Sequence, residues 1–152
     1  NLLHGYSFMS PDSAVPHMLL VEDNPMDVDL TLHAFTRINF RLPVQIARDG
    51  SEVLELFEKW KSGGELPGLI LLDIKLPKVT GLEVLKKIKS DSRTSSIPIV
   101  MLTSSTNDND IKSAYEYGAN SYIIKPVKFE QFIEFTTILC EYWLKLNVRP
   151  ER

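Results

Sequence analysis

Five short apolar runs, separated by stretches with helical spacing, constrain this chain more than any other feature it has. The runs are 18–21, 44–47, 69–72, 97–102 and 122–124. Several are apolar almost throughout, as strands of a parallel sheet are when helices cover both of its faces. Between them, Val28, Thr31, Leu32 and Phe35 share one helical face, Val53, Leu56, Phe57 and Trp60 a second, and Leu82, Leu85 and Ile88 a third. Ile111, Ala114, Tyr115 and Gly118 form a weaker stripe, and Phe129, Phe132, Ile133, Thr136, Cys140 and Trp143 the last and longest. Asn24-Pro25-Met26-Asp27 marks a helix start: a cap, a proline at the first helical position and an acid in the first turn. Asp49-Gly50-Ser51 and Thr80-Gly81 mark two more starts, and Gly63-Gly64 and Gly118 mark ends. Strands and helices alternating at this length predict an α/β fold around an open, doubly wound parallel sheet.

A chain of 152 residues favours one domain. Residues 1–16 show no period and read as a flexible N-terminal tail, 17–146 as the folded unit, and 147–152 as a short C-terminal tail too small for a further domain. The net charge of −3 argues against a nucleic-acid or anionic-membrane partner. There is no run long enough to span a membrane, and the first residues lack the basic start and apolar stretch of a signal peptide, so a cytoplasmic protein is expected. The one cysteine, Cys140, sits in an apolar helical pattern and reads as core filler.

The polar residues fall at particular places. Glu22 and Asp23 end the first run, Asp73 the third, Thr103 and Ser104 the fourth, and Lys125 the fifth. Strand carboxyl ends of a parallel sheet lie along one edge, and ligands bind there where the strand order reverses. In a flavodoxin-like (βα)5 sheet of order 2-1-3-4-5, the first and third strands are neighbours, and Glu22, Asp23 and Asp73 converge. Crowded carboxylates persist if some are protonated, if water screens them, or if a cation sits among them. A hard divalent cation suits oxygen ligands, and Mg²⁺ suits them when phosphate is involved. Such an ion lowers the barrier for a carboxylate attacking a phosphodonor, while Lys125 and Thr103 can hold further phosphoryl oxygens. Each residue also has an ordinary reading: a helix cap, a solvated loop, a turn former, a surface lysine. What sets them apart is the conjunction of acids, hydroxyl and ammonium at four carboxyl ends, with none at 44–47.

The segments LLVEDN (19–24), LILLDIKLPKVTG (69–81), IPIVMLTSS (97–105) and GANSYIIKP (118–126) resemble the receiver domains of bacterial two-component response regulators, over about residues 17 to 144. NPMDVDLTLHAF (24–35), the KPVKFEQF stretch (125–132) and the Trp-containing tail are most similar to small regulators paired with phytochrome kinases. The resemblance implies that Asp73 is the phosphoacceptor, Asp23 a direct Mg²⁺ ligand and Glu22 an acid that orients the ion. It further implies that Lys75 coordinates the metal through its backbone carbonyl, that Thr103 is the switch hydroxyl and that Lys125 is the phosphoryl-contacting lysine. Tyr122 falls where an aromatic ring moves in when that hydroxyl engages phosphate. The Lys125–Pro126 bond is often cis in such proteins. Two residues depart from the family pattern: Lys75 itself, where phosphoryl lifetime is tuned, and Thr80 in place of an Asp before Gly81.

The implied partner is a sensor histidine kinase, of the phytochrome photoreceptor type. No output domain is expected after the receiver, so its signal is expected to pass by protein contact. Phe135, Ile138, Tyr142 and Leu146 lie on the last helical stretch roughly opposite its core stripe. They are either partly covered by the tail or a neighbouring helix, or form a partner surface, for which a homodimer is the expectation. One rival reading is an interaction module without the phosphorylation cycle, against which Glu22, Asp23, Asp73, Thr103 and Lys125 all speak. Another is a metal-dependent phosphatase with an aspartyl-phosphate intermediate. Such an enzyme generally needs a second Asp two residues after the nucleophile, and here that position is Lys75. A phosphoacceptor, not a turnover enzyme, is therefore expected.

Overall fold

The computed structural model describes residues 17–37 and 43–150, so the expected tail 1–16 and the last two residues of 147–152 lie outside it. Its elements run β1 (Met18–Val21), α1 (Pro25–Arg37), β2 (Val44–Ala47), α2 (Gly50–Lys61), β3 (Leu69–Leu72), α3 (Gly81–Lys89), β4 (Ile99–Thr103), α4 (Asp108–Glu116), β5 (Ser121–Ile124) and α5 (Phe129–Glu141). A single π-helical turn, Tyr142–Leu146, continues α5. The strands form one parallel sheet of order β2-β1-β3-β4-β5, the doubly wound flavodoxin-like arrangement expected.

The period of two along each strand divides the core. Leu19, Val21, Ile70, Leu72, Ile99 and Met101 face α2, α3 and α4, against Val53, Phe57, Trp60, Val84, Leu85, Ile88 and Ala114. Met18, Leu20, Leu69, Leu71 and Val100 face α1 and α5, against Val28, Phe35, Leu139 and Cys140. Because both faces are covered, β1, β3 and β4 are buried throughout. Edge strand β5 is only half-buried.

Side-chain caps fix where the helices begin. Asn24 Oδ1 accepts from the backbone N–H of Met26 (2.9 Å) and Asp27 (3.4 Å). Asp49 Oδ1 accepts from Glu52 N (3.0 Å), and Thr80 Oγ1 from Glu83 N (3.3 Å). The Thr80 hydroxyl in turn donates to Glu83 Oε1 at 3.2 Å. Thr80 thus supplies the cap that an Asp would. Gly118 follows α4 with φ +102°, a conformation that penalises any Cβ.

The structure corrects several expectations. Ile97 and Pro98 precede β4, although the Pro98 carbonyl still accepts from Ile70 N at 3.0 Å. Tyr115 and Phe129 are exposed, not core; Tyr117 packs against the core instead. Ala114 is the residue of α4 that turns to the core, and Tyr115, about 100° further round the helix, turns away from it. Phe129 is the first residue of α5, at the sheet's rim. No described peptide bond is cis, so Lys125–Pro126 is trans, the lower-energy isomer for an X–Pro bond in general.

Candidate functional site: a carboxylate cage at the sheet's carboxyl edge

The register builds the site. Val21 and Leu72 are partners at the ends of β1 and β3, so the chain leaves both strands at the same level, carrying Glu22 and Asp73 side by side. The bond from Asp73 N–H to the Val21 carbonyl (3.2 Å) continues that ladder by one step. On the other side, Thr103 pairs with Ile124, and Lys125 N–H donates to the Thr103 carbonyl (2.8 Å), which brings Lys125 to the same edge. Gly81 packs directly beneath: a Cβ there would overlap the Asp73 carbonyl oxygen, so only glycine lets α3 approach this closely.

Carboxylate oxygens of Glu22, Asp23 and Asp73 come within 4.8 Å of one another. Glu22 and Asp73 are buried, and Asp23 is exposed. The Lys125 ammonium sits among them. Its Nζ lies 2.7 Å from Glu22 Oε1, 2.8 Å from Asp73 Oδ2 and 2.8 Å from Asp27 Oδ2. An ammonium has three N–H donors, and here each has a carboxylate. Asp73 Oδ1 accepts from Ile74 N (2.7 Å), and Glu22 Oε2 from Asn24 N (3.2 Å), so both buried acids are held at both oxygens.

Burial pushes the Glu22 carboxyl up to about 7; the bond from Lys125 opposes that push, and the Asp73 charge adds to it. For Lys125, burial alone would lower the pKa, but the bonds to Asp27, Asp73 and Glu22 outweigh it and hold the ammonium firmly charged. One cation among four carboxyl groups leaves an excess of negative charge on hard oxygen donors, at a place where one of them, Asp23, is open to solvent. That donor set fits a divalent cation.

The remaining expected residues sit around the cage. Thr103 is buried, and its Oγ1 accepts from Ser105 N at 3.3 Å. Tyr122 OH donates to the Ser105 carbonyl (2.9 Å), so the ring is engaged with the β4–α4 loop and not with the acids. The Lys75 side chain is exposed. Phe135, Ile138, Tyr142 and Leu146 are all exposed, at 40%, 60%, 48% and 71%. The first three line an apolar groove of about 560 Å³ with Tyr122, Ile124 and Trp143, remote in character from the cage. Sequence reasoning missed Asp27, read only as an acid at a helix start. It also missed the bond from Ser105 Oγ to Asp110 Oδ2 (2.6 Å) that ties the loop to α4.

A doubly wound sheet carrying buried acids and an ammonium at its carboxyl edge defines a phosphoacceptor module, and residues 18–137 match the response regulator receiver domain family. The chain belongs to that family, whose part in signalling is to accept a phosphoryl group, not to turn over a substrate. It is 43% identical over 134 residues to the probable methanogenesis regulatory protein FilR2 of Methanothrix harundinacea, covering 88% of this chain and 86% of that one. Among solved structures it is similar to the phosphorylated cyanobacterial phytochrome response regulator RcpA, with TM-score 0.84 and 35% identity over 91% of this chain and 100% of that one. Response regulator Rcp1 of Synechocystis is 32% identical over 145 residues, 93% of this chain and 99% of Rcp1. The Mn²⁺-bound form of Rcp1 superposes with TM-score 0.83. In this chain the carboxylates of Glu22, Asp23 and Asp73 lie close enough together to ligate a single ion. No described helix is long and apolar enough to cross a membrane.

Proposed function

We propose that Asp73 accepts the phosphoryl group, from a phosphohistidine on a sensor kinase of the phytochrome photoreceptor type, in the cytoplasm and with Mg²⁺ as the metal. The phytochrome link rests on likeness to RcpA. An Asp73 oxygen forms a bond to phosphorus as the donor's phosphorus–nitrogen bond breaks, and the imidazole leaves with the electron pair. Mg²⁺ bound at Glu22, Asp23, Asp73 and the Lys75 carbonyl would neutralise the carboxylate charge and clamp phosphoryl oxygens. Lys125 turns an N–H from Asp73 Oδ2 to a phosphoryl oxygen, and Thr103 supplies a hydroxyl to another. Engagement of Thr103 changes the loop that Tyr122 already touches, and the β4–α5 region alters its affinity for partners.

The receiver unit spans 17–146, and a second copy of this chain covers the groove of Ile124, Phe135, Ile138 and Tyr142, with Leu146 at its margin. An apolar face of this kind suits a two-fold, self-complementary contact.

The observation that carries the reading is the Lys125 Nζ bridge between Asp73 and Glu22 at 2.8 and 2.7 Å. Incubation with acetyl phosphate and Mg²⁺ should retard the wild type on a phosphate-binding gel and leave Asp73→Asn unshifted. An unshifted wild type sinks the reading.

A further inference from the structure

Asp27 is the one member of the cage that does not come from a strand end. It is the third residue of α1, and its Oδ2 lies 2.8 Å from the Lys125 Nζ, across 98 residues of sequence. Its carboxylate is not needed to start the helix, because Asn24 Oδ1 already accepts from the N–H groups of Met26 and Asp27. An acid serving only the helix dipole has no reason to aim at a lysine on another element. The backbone that carries Asp27 is fixed: its carbonyl accepts from the buried Thr31 hydroxyl (2.8 Å), and Val28 and Leu30 on either side of that turn are buried.

A lysine side chain has four rotatable bonds, and its ammonium positions nothing unless other groups hold it. Here Glu22, Asp27 and Asp73 take one N–H each. When Asp73 becomes esterified, the N–H it held is freed for a phosphoryl oxygen, and two anchors must keep the ammonium in place. One is Glu22, on the loop after β1, whose other oxygen accepts from Asn24 N. The other is Asp27, on a rigid helix and partly open to water, at 21% side-chain exposure.

We propose that Asp27 is a positioning residue for phosphoryl transfer: it anchors the Lys125 ammonium to α1, so that the lysine meets the phosphoryl group already aimed. This rests on the reading of Asp73 as acceptor. Anchoring of Lys125 and simple charge repulsion act on the rate with opposite signs. Removing a negative group near Asp73 should, by Coulomb's law alone, ease the approach of an anionic donor and speed the reaction. Loss of an anchor for Lys125 should slow it.

The test is a double-mutant cycle in the full chain, with acetyl phosphate and Mg²⁺ and with phosphorylation followed by intact-protein mass. Asp27→Asn is isosteric and should slow phosphorylation about tenfold, while Asp27→Glu, which keeps the charge, should recover most of the rate. In a Lys125→Met background, Asp27→Asn should cause no slowing, since there is no ammonium left to position. As a readout independent of turnover, the Lys125 ammonium resonance in ¹⁵N-edited NMR should be visible in the wild type. In Asp27→Asn it should broaden as exchange with water speeds up. Wild-type speed in Asp27→Asn, or equal slowing with and without Lys125, overturns the proposal. A wild type that takes no phosphoryl group overturns the acceptor reading itself, whereas normal wild-type phosphorylation with either of those outcomes overturns only the role of Asp27.

Discussion

At the carboxyl end of β5 the Lys125 ammonium has all three N–H groups on carboxylates of its own chain. Along the same strand, Ile124 and its α5 neighbours Phe135 and Ile138 face solvent around an apolar groove. The first region is closed upon itself, and its chemistry is settled by which atoms meet. The second is open, and what it does depends on what covers it. A polar cluster in a low-dielectric edge is costly unless each member has its partner, so its residues are specified one by one. An apolar face is specified only in shape and area.

The two regions should differ most at Lys125. Lys125→Ala leaves Glu22, Asp27 and Asp73 without their shared cation. Urea unfolding without divalent ions should show a loss of about 3 kcal/mol, most of it recovered by millimolar Mg²⁺. Equal stability with and without the ion would mean the cage does not need a cation. A smaller loss, about 2 kcal/mol, is expected for Gly81→Ala, because the added Cβ overlaps the Asp73 carbonyl oxygen. Its acetyl phosphate reaction should slow as well. The groove should behave in the opposite way. Ile138→Lys, a far larger change of side chain, should move unfolding by no more than about 0.5 kcal/mol, yet abolish a dimer in sedimentation.

The smallest effect lies away from both regions. Burial lowers the pKa of His17 below 6.5, against an opposing pull from Glu65, so the folded state disfavours its protonation. The stability this contributes is present above 6.5 and is lost as pH falls through the lowered folded-state value. His17→Gln should flatten that acid-side decline in a series of thermal melts.

The same contrast explains which residues are legible in the sequence. Glu22, Asp23, Asp73 and Lys125 were legible because each lies at the end of an apolar run, and strand ends of a parallel sheet share an edge. Asn24, Asp49 and Thr80 were legible as caps because capping is a local interaction, decided within four residues. Asp27 was not, since its contact depends on how α1 is placed over the sheet, which no local pattern states. Helical period alone places Tyr115 and Phe129 in the core, and both lie where a helix ends or begins. The π-helical turn, with Asn147 N bonded to the Tyr142 carbonyl at 2.7 Å, leaves no mark in the apolar spacing. It shifts the phase of the last stripe, the part of the chain on which the groove depends.

Asp73 is the carboxylate of the cage proposed to take the phosphoryl group, and Asp23 and Asp27 are not. Borohydride reduces an acyl phosphate to an alcohol and so marks the acceptor. After brief reaction with acetyl phosphate and Mg²⁺, reduction and peptide mass analysis should find homoserine at position 73. Homoserine at Asp23 or Asp27 instead, or at none of the three in a phosphorylated sample, would contradict the account.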